Sequence, residues 1–499
     1  MRHRLEPLIK APCLVFANRI VRNARIVALA AWLAQSLILI ASPLAAQPLS
    51  SQVDLLVDGG TAVTMDPQRR VVADAAIAIR GDSIVAIGPR SEILARFSPA
   101  ERLDARGKLI LPGLINGHNH AAMTLLRGLG DDKPLQEWLN DYIFPAEARN
   151  VNKDFVALGT RLAALEMIRS GTTTFVDMYY FEDAVAEVTR QTGMRGVLGE
   201  AIINFPAPDN KSPAEALAYT EAFLRRWQGD PLVRAAVAPH STYLLAEEPL
   251  RAAFALARNY HAPILIHLSE NQREVDESRA EHGLTPVGYL DRLGLLGPDL
   301  TAAHCVAVDA TDIALLAAHG VGCVINSSSN MMLASGVAPV PSMLTAGVRL
   351  GLGTDGPAGT NNDLDIMEET DLTAKLQKIT QRDPRALNAQ GALEMATIRG
   401  ARALHMESEI GSLELGKKAD LVILGLDAPH AVPLYDLYAQ IVYSLKAADV
   451  ETVVIGGRIV MRDRQVGTID EAQTIVQARE YGARVEQSLR RPADAPQRQ

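Results

Sequence analysis

The sequence predicts an α/β protein that combines a (β/α)8 TIM-type barrel with a small β-sandwich domain formed from both chain ends. Three observations support this fold class. The chain has 499 residues, which exceeds the usual size of one hydrophobic core. Eight apolar segments of strand length alternate with helical stretches in its middle. Shorter strands separated by turn residues occur near both ends.

The small domain is predicted from 47–111 and 411–467, where short apolar strands alternate with turn residues. Neither part is long enough to close a sheet alone. Gly456-Gly457 favours a hairpin turn in the second part. We therefore expect the two parts to form one β domain, followed by a C-terminal helix and tail over 468–499.

The central region, 112–410, is predicted to be the barrel. Strands that are buried on both faces form continuous apolar runs, and their alternation with helices indicates a parallel sheet. In such a barrel the functional side chains collect at the carboxyl ends of the strands. The eight predicted strands are 108–115, 173–177, 195–201, 233–238, 263–267, 300–304, 321–326 and 349–354.

The first fifty residues have the layout of a secretory signal. Three arginines between positions 19 and 25 precede an apolar run over 26–40, and small residues follow up to Ala46. Cleavage after Ala46 would remove 1–46 as a signal peptide, so we expect export to the periplasm. An uncleaved membrane anchor and an over-extended start to a cytoplasmic protein are the alternatives.

Charge and cysteine content restrict the partners. The net charge is −9 and the body of the chain has no basic stretch, which argues against a nucleic-acid partner. After signal cleavage only Cys305 and Cys323 would remain, so disulfide bonds are not expected to hold this fold. We expect a small-molecule substrate and no membrane association once the signal is cleaved. Homo-oligomer formation is left open.

Histidine and aspartate residues follow several predicted strands. His118 and His120 come after the first one, and alternate residues of an extended chain point the same way, so both imidazoles can reach one metal ion. An HxH pair alone is a weak signal. However, His267, His304 and Asp355 end the fifth, sixth and eighth strands, and nitrogen and oxygen donors without a thiolate suit zinc. The alternative is a set of unrelated polar residues satisfied by loops.

The remaining chemistry is predicted beside these donors. Glu270 follows His267 by three positions, so it is expected to lie over the metal and carry a proton from water to a ring nitrogen of the substrate. Asp355 can hold the metal and take the first proton. His304 can hydrogen-bond the attacking water or the developing alkoxide. This set suits hydrolysis at a ring carbon that bears an amino group.

Together with these residues, the motifs of the chain resemble those of a known family, the methylthioadenosine/S-adenosylhomocysteine deaminase-like members of the amidohydrolase superfamily. The resemblance covers nearly everything from about Val53 to about Arg462. The segments that carry it are 118–128, 303–306, 326–335, 338–341, 353–356 and 416–422.

The resemblance implies roles for individual residues. The implied metal ligands, for one divalent ion expected to be Zn²⁺, are His118, His120, His267 and Asp355. Glu270, His304 and Asp355 are the implied catalytic residues. The implied substrate-binding residues are Trp138, Glu147, His240, Glu270 and Asp355. From the residues alone, Trp138 would ordinarily be a helix packing residue and Glu147 a solvated or ion-paired carboxylate, so their binding roles rest on the resemblance.

Two departures from the family pattern concern the substrate. The family often has histidine where this chain has Ile325. Members that accept homocysteine-bearing substrates tend to carry arginine near Glu200, where a carboxylate would repel the homocysteine carboxylate. We therefore expect uncharged 5′-substituted adenosines, such as methylthioadenosine or 5′-deoxyadenosine, to be preferred over S-adenosylhomocysteine.

Other functions are weighed against this aminohydrolase hypothesis. The same mononuclear site could act on another aminated, chlorinated or cyclic-amide heterocycle, such as a free purine, a pterin or a triazine. A two-metal amidase commonly needs a carbamylated lysine at the end of the fourth strand, where this chain has Pro239-His240. A non-catalytic binding module on the same fold would usually have lost metal ligands, and this chain has lost none.

Overall fold

A computed structural model describes residues 51–490 of the 499-residue chain. The expected signal peptide and the last nine residues of the expected tail lie outside the described residues. Within 51–490, no helix is both long enough and apolar enough to span a membrane. The β-strands, numbered in chain order, are β1 Ser51–Asp58, β2 Thr61–Val63, β3 Val71–Val72, β4 Ala75–Arg80, β5 Ser83–Pro89, β6 Phe97–Asp104, β7 Leu109–Pro112, β8 Leu114–Asn119, β9 Thr172–Tyr179, β10 Arg195–Ile202, β11 Val233–Pro239, β12 Ile264–Leu268, β13 Leu300–His304, β14 Gly322–Ile325, β15 Arg349–Leu352, β16 Leu421–Leu424, β17 Val450–Ile455, β18 Arg458–Arg462 and β19 Gln465–Val466.

Strands β8 to β15 form one parallel sheet in sequence order, and this confirms the predicted α/β barrel class. The N–H of Asp355, just beyond β15, donates to the carbonyl of His118 in β8 (2.9 Å) and so joins the two outer strands of the sheet. β9 and β10 are buried at every position, as expected for strands covered on both faces.

The predicted first strand, 108–115, is wrong as a single element. It divides at Gly113 into two strands. β7 pairs with β16 and β2 in a sheet of the small β domain, and β8 is the first strand of the barrel. A Cβ on Gly113 would collide with the side chain of Thr173 in β9. Only glycine therefore permits the chain to pass this close to β9 at the junction of β7 and β8. As a consequence His118 lies inside β8 and His120 directly follows it.

The small β domain is built from both chain ends, as expected. One sheet has the order β5-β4-β1-β6, and the other has the order β19-β18-β17-β16-β7-β2-β3. β16 and β7 pair antiparallel in the middle of the second sheet, so neither chain end completes it alone. A buried ion pair between Arg195 of β10 and Asp420 (2.8 Å) connects this domain to the barrel.

Helices follow most barrel strands and cover the outside of the parallel sheet. Several begin at side-chain caps, for example at Asn152, whose Oδ1 accepts from the backbone N–H groups of Asp154 and Phe155. The helical segments, including short 3₁₀ and π turns, are Arg90–Arg96, Ala121–Leu126, Leu135–Glu137, Trp138–Ile143, Phe144–Asn150, Lys153–Arg169, Glu182–Thr192, Pro213–Arg226, Glu247–Tyr260, Gln272–His282, Pro286–Arg292, Ala310–Ala318, Ser327–Met332, Val340–Ala346, Ile366–Gln381, Ala389–Met395, Ile398–Ala403, Pro429–Ala431, Leu437–Ala439, Gln440–Ser444, Ala447–Asp449 and Glu471–Leu489.

Candidate active site

Four side chains from three strand ends meet at the carboxyl edge of the barrel. They are His118 of β8, His120 just after it, His267 of β12 and Asp355 just after β15. The Nε2 atoms of His118 and His120 each lie 3.3 Å from Oδ1 of Asp355, and the Nε2 atoms of His120 and His267 are 3.3 Å apart. The potential ligand atoms of all four lie within 4.8 Å of one another, which fits coordination of a single ion.

Hydrogen bonds orient these imidazoles with Nε2 toward the common point. Nδ1 of His120 lies 2.6 Å from the Met178 carbonyl, and Nδ1 of His267 lies 2.9 Å from the His240 carbonyl. Because a carbonyl can only accept, Nδ1 carries the proton and Nε2 keeps its lone pair for a metal. Nε2 of His118 is buried and has no hydrogen-bond partner among residues 51–490. The donor set therefore fits a borderline divalent cation.

Burial and mutual contact set the charges of these groups. Burial lowers the pKa of His118 to about 4 and holds the pKa of His267 well below its usual range. Burial opposes ionisation of Asp355, but its contacts with His118 and His120 hold its pKa well below the ordinary value. His118, His267 and Asp355 thus already have the protonation states that metal ligation requires. Burial lowers the pKa of His120, but the contact with Asp355 and its charge outweigh burial and raise that pKa to about 8, so His120 would give up a proton when a metal binds.

Backbone strain is concentrated at these strand ends. Ser269, His304, Cys305 and Asp355 all have positive φ angles, of 52°, 75°, 47° and 65°. Left-handed backbone at non-glycine residues costs on the order of 1–3 kcal/mol each and is often found at functional sites. Here it turns the chain sharply after β12, β13 and β15, at the points where His267, His304 and Asp355 present their side chains.

The metal cluster opens into a cavity at the carboxyl edge of the barrel. His118 lies behind the cavity, at 2% exposure. Every other residue singled out from the sequence as catalytic, metal-binding or substrate-binding lines it. These are His120, Trp138, Glu147, His240, His267, Glu270, His304 and Asp355.

Hydrogen bonds to its backbone hold Glu270 at the cavity wall. The carboxylate of Glu274, in the first turn of Gln272–His282, accepts from the N–H groups of Ser269 (3.0 Å) and Glu270 (2.7 Å). Burial raises the pKa of Glu270 to about 8, and the neighbouring charge of Asp355 adds to that rise. A carboxyl group that binds a proton near neutral pH is suited to carrying one.

Trp138 and Glu147 lie together on another part of the cavity wall. The indole Nε1 of Trp138 donates to the Ala358 carbonyl (2.8 Å), which leaves the ring available for contact with a ligand. A carboxylate oxygen of Glu147 accepts from the Tyr179 hydroxyl (2.6 Å), and burial raises the Glu147 pKa to about 7. His240 lies beside the metal cluster, with its ring centroid 4.4 Å from that of His267.

The expectation that Glu200 would face the substrate is wrong. Glu200 is fully buried in β10, where Oε2 accepts from the Glu182 N–H (3.1 Å) and Oε1 from the Asn210 side-chain amide (2.9 Å). The next residue, Ala201, lines the cavity instead. Successive side chains of a strand point to opposite faces, so a residue at the correct strand end still has to be on the correct face.

Several cavity residues were not identified from the sequence. Tyr179 ends β9 and Tyr180 follows it, Tyr243 follows β11, and Met123 and Leu333 lie in a short helical segment or just beyond one. The tyrosines at strand ends carried a usable signal, since ring residues at the carboxyl edge of a barrel have access to its mouth. The apolar residues carried none, because their positions resemble those of ordinary core residues.

A parallel barrel with a His/Asp metal site at its carboxyl edge is the arrangement of a metal-dependent barrel hydrolase. The family model described as "Amidohydrolase family" matches residues 109–460. The chain belongs to the amidohydrolase family, as the resemblance indicated.

Curated relatives are similar over nearly their whole length. The chain is 46% identical over 440 residues, 88% of this chain and 99% of the relative, to 5-methylthioadenosine/S-adenosylhomocysteine deaminase 1 of Syntrophus aciditrophicus. It is 47% identical over 430 residues, 86% and 98% of the two chains, to a 5-methylthioadenosine/S-adenosylhomocysteine deaminase of Syntrophobacter fumaroxidans. Among solved structures, an adenosine deaminase from Xanthomonas campestris with bound zinc superposes with a TM-score of 0.86 at 38% identity, covering 88% of this chain and 100% of that one.

Proposed function

We propose that the protein is a zinc-dependent aminohydrolase that releases ammonia from an adenosine-type purine nucleoside. One observation carries the proposal: a His/Asp cluster whose ligand atoms lie within 4.8 Å opens into a cavity that also contains Glu270 and His304. The names of the relatives and the zinc in the Xanthomonas campestris structure support the substrate class and the metal.

Each residue of the site has a role in this reaction. A zinc ion held by the four ligands supplies the Lewis acidity that makes water a nucleophile at neutral pH. Glu270, whose burial favours the protonated form, delivers a proton to a ring nitrogen next to the carbon that loses its amino group. Asp355 accepts a proton from the attacking water and passes it to the departing amino group as the carbon–nitrogen bond breaks, while the second proton of the water returns to Glu270. The His304 side chain hydrogen-bonds that water at the cavity wall.

The rest of the cavity suits a nucleoside. The Trp138 ring offers a face for packing, and the Glu147 carboxylate offers an acceptor for ribose hydroxyl groups. Of the residues that line the cavity, none is lysine or arginine, whereas Glu147, Glu270 and Asp355 are carboxylates. The carboxylate of a homocysteine tail would find no counter-ion there.

We therefore propose that uncharged 5′ substituents are preferred over a homocysteine tail. The reason is the lack of a cationic side chain in the cavity wall, and Glu200 has no part in it. An unpaired carboxylate that costs about 1.4 kcal/mol lowers affinity about tenfold. We expect kcat/KM for methylthioadenosine or 5′-deoxyadenosine to exceed that for S-adenosylhomocysteine by about tenfold or more. Equal efficiency for the charged and uncharged substrates would contradict this preference.

The function itself is tested by an ammonia-release screen with purified protein. The panel contains adenosine, methylthioadenosine, 5′-deoxyadenosine, adenine, guanine, a pterin and an aminotriazine. Glu270→Gln serves as the matched control, because it removes the proton carrier and keeps the side-chain volume, so activity that persists in it comes from a contaminant. Turnover of a free base, pterin or triazine without turnover of any nucleoside would contradict the proposed substrate class.

A further inference from the structure

The short helix Ser327–Met332 connects two groups that contact the attacking water in the proposed reaction, Asp355 and His304. It directly follows Asn326, at the end of barrel strand β14. Two consecutive residues of this helix, Ser329 and Asn330, are almost fully buried, and their side chains reach the active site.

Ser329 bonds the carboxylate of Asp355. The Ser329 hydroxyl donates to Oδ2 (2.6 Å), while the other oxygen, Oδ1, lies 3.3 Å from Nε2 of both His118 and His120. The Gly356 N–H also donates to Oδ1 (2.7 Å). The two oxygens therefore have different surroundings, and the hydroxyl prevents the carboxylate from rotating to exchange them.

Asn330 bonds the imidazole of His304. Its Oδ1 lies 3.1 Å from Nδ1, while Nδ2 of Asn326 lies 3.3 Å from the same nitrogen. Nδ1 cannot donate to an oxygen and accept from an amide N–H at the same time. The shorter contact is to the acceptor, so Nδ1 carries the proton and Nε2 has the free lone pair.

The helix itself is anchored away from the active site. The hydroxyls of Ser327 and Thr373 are 2.8 Å apart, and the Ser328 hydroxyl donates to Glu369 (2.5 Å). Thr373 and Glu369 belong to the long helix Ile366–Gln381, and both are buried. Serines at the start of the short helix thus fix its position against a rigid element, while the next two residues reach inward.

We propose that Ser329 and Asn330 are positioning residues, Ser329 presenting one oxygen of Asp355 to the metal and Asn330 holding His304 with Nε2 as a hydrogen-bond acceptor. In this state Nε2 of His304 accepts a hydrogen from the attacking water. It does not donate to the developing alkoxide, which is the other role that the sequence left open for His304. The Asn330 part of the inference rests on the proposed function, whereas the Ser329 part rests on metal binding alone.

The Ser329 part is tested by zinc affinity, measured by competition with a chelator. We expect Ser329→Ala to weaken zinc binding by about 10- to 100-fold, the usual effect of removing a partner of a metal ligand. Ser335→Ala is the matched control, because Ser335 has a buried hydroxyl with no hydrogen-bond partner in the described part of the chain. Unchanged zinc affinity in a folded Ser329→Ala protein would overturn this part, even if no substrate were known.

The Asn330 part is tested by steady-state kinetics of zinc-loaded variants. Asn330→Ala is expected to lower kcat by about tenfold or more with little change in KM or zinc content, because the tautomer matters only when a proton moves. Asn330→Asp keeps an acceptor for Nδ1–H and is expected to restore most of the lost kcat. If Nδ1 instead carries a lone pair, the carboxylate faces it with no proton between them. Asn330→Asp would then be less active than Asn330→Ala, and that result would overturn the assignment.

Discussion

Two clusters of buried and half-buried titratable groups lie at the same edge of the barrel and differ in what their polar atoms face. In the metal cluster, His118, His120, His267 and Asp355 direct their ligand atoms to one point. The second group, which we call the outer carboxylate cluster, consists of Asp177, Glu182, Glu200 and Asp209. Its oxygens accept from backbone N–H groups of Ala121, Tyr179, Glu182 and Phe181.

The charge states of the two clusters also differ, because their carboxylates have different neighbours. Asp355 stays ionised, because its contacts with His118 and His120 hold its pKa well below the ordinary value. In the outer carboxylate cluster, burial raises the pKa of Glu182 and Glu200 well above the ordinary value, and neighbouring carboxylates add to the rise. Among residues 51–490, no arginine or lysine forms an ion pair with this cluster. The comparison shows that the face of the strand, and not its end alone, decides whether an acid is functional or structural.

The largest expected effect comes from removing a ligand of the metal cluster. Purified protein should carry about one zinc-like ion per chain, and His267→Ala should lose both the metal and the activity, because it removes one of the three imidazole donors that this site offers to the ion. Elemental analysis and turnover measure the two losses. Two tightly bound ions per active chain would refute a mononuclear site.

Glu270→Gln tests chemistry without disturbing the metal. We expect kcat to fall by about 10² or more while zinc content and fold are retained, because the amide cannot carry the proton. Zinc content and circular dichroism provide the control. Near-normal turnover in this variant would show that Glu270 is not the proton carrier.

Sequence reasoning found the metal cluster because its members end predicted strands and because the motifs resemble those of a known family. It misassigned Glu200, since strand position gives the barrel edge but a shift of one residue changes the face. It also merged β7 and β8, because one apolar run crosses the Gly113 boundary without a polar residue. The contacts of Ser329 and Asn330 join side chains from different strand ends, and no local pattern predicts such contacts.

The outer carboxylate cluster is tested by changing the charge of Glu200. Glu200→Arg should destabilise the protein by about 3–5 kcal/mol, since the larger side chain overpacks a fully buried position and leaves the Glu182 N–H and the Asn210 amide without their acceptors. Glu200→Gln should fold normally, because the amide has the same shape and can donate to Asp209. Denaturant unfolding measures both. A stable Glu200→Arg protein with improved use of S-adenosylhomocysteine would restore Glu200 to the substrate site.

A smaller effect is expected in the pH dependence of stability. The folded pKa of Glu200 lies above its unfolded value, so the folded protein binds this proton more tightly, and the associated stability is lost as pH rises from about 4.3 toward the folded pKa. Glu200→Gln has no such proton. The free energy of unfolding of the native chain should therefore fall relative to that of the variant as pH increases. A difference that is independent of pH would show that Glu200 is ionised in the folded protein.

The most direct test of the central claim is titration of metal-free protein with zinc while nucleoside deamination is followed. The proposed site predicts no turnover without metal, a linear rise up to about one equivalent of zinc, and a plateau beyond it. Release of ammonia should match conversion of the adenine ring to hypoxanthine, mole for mole. Turnover by the metal-free protein, or a rise that continues to two equivalents, would contradict a single-ion active site formed by His118, His120, His267 and Asp355.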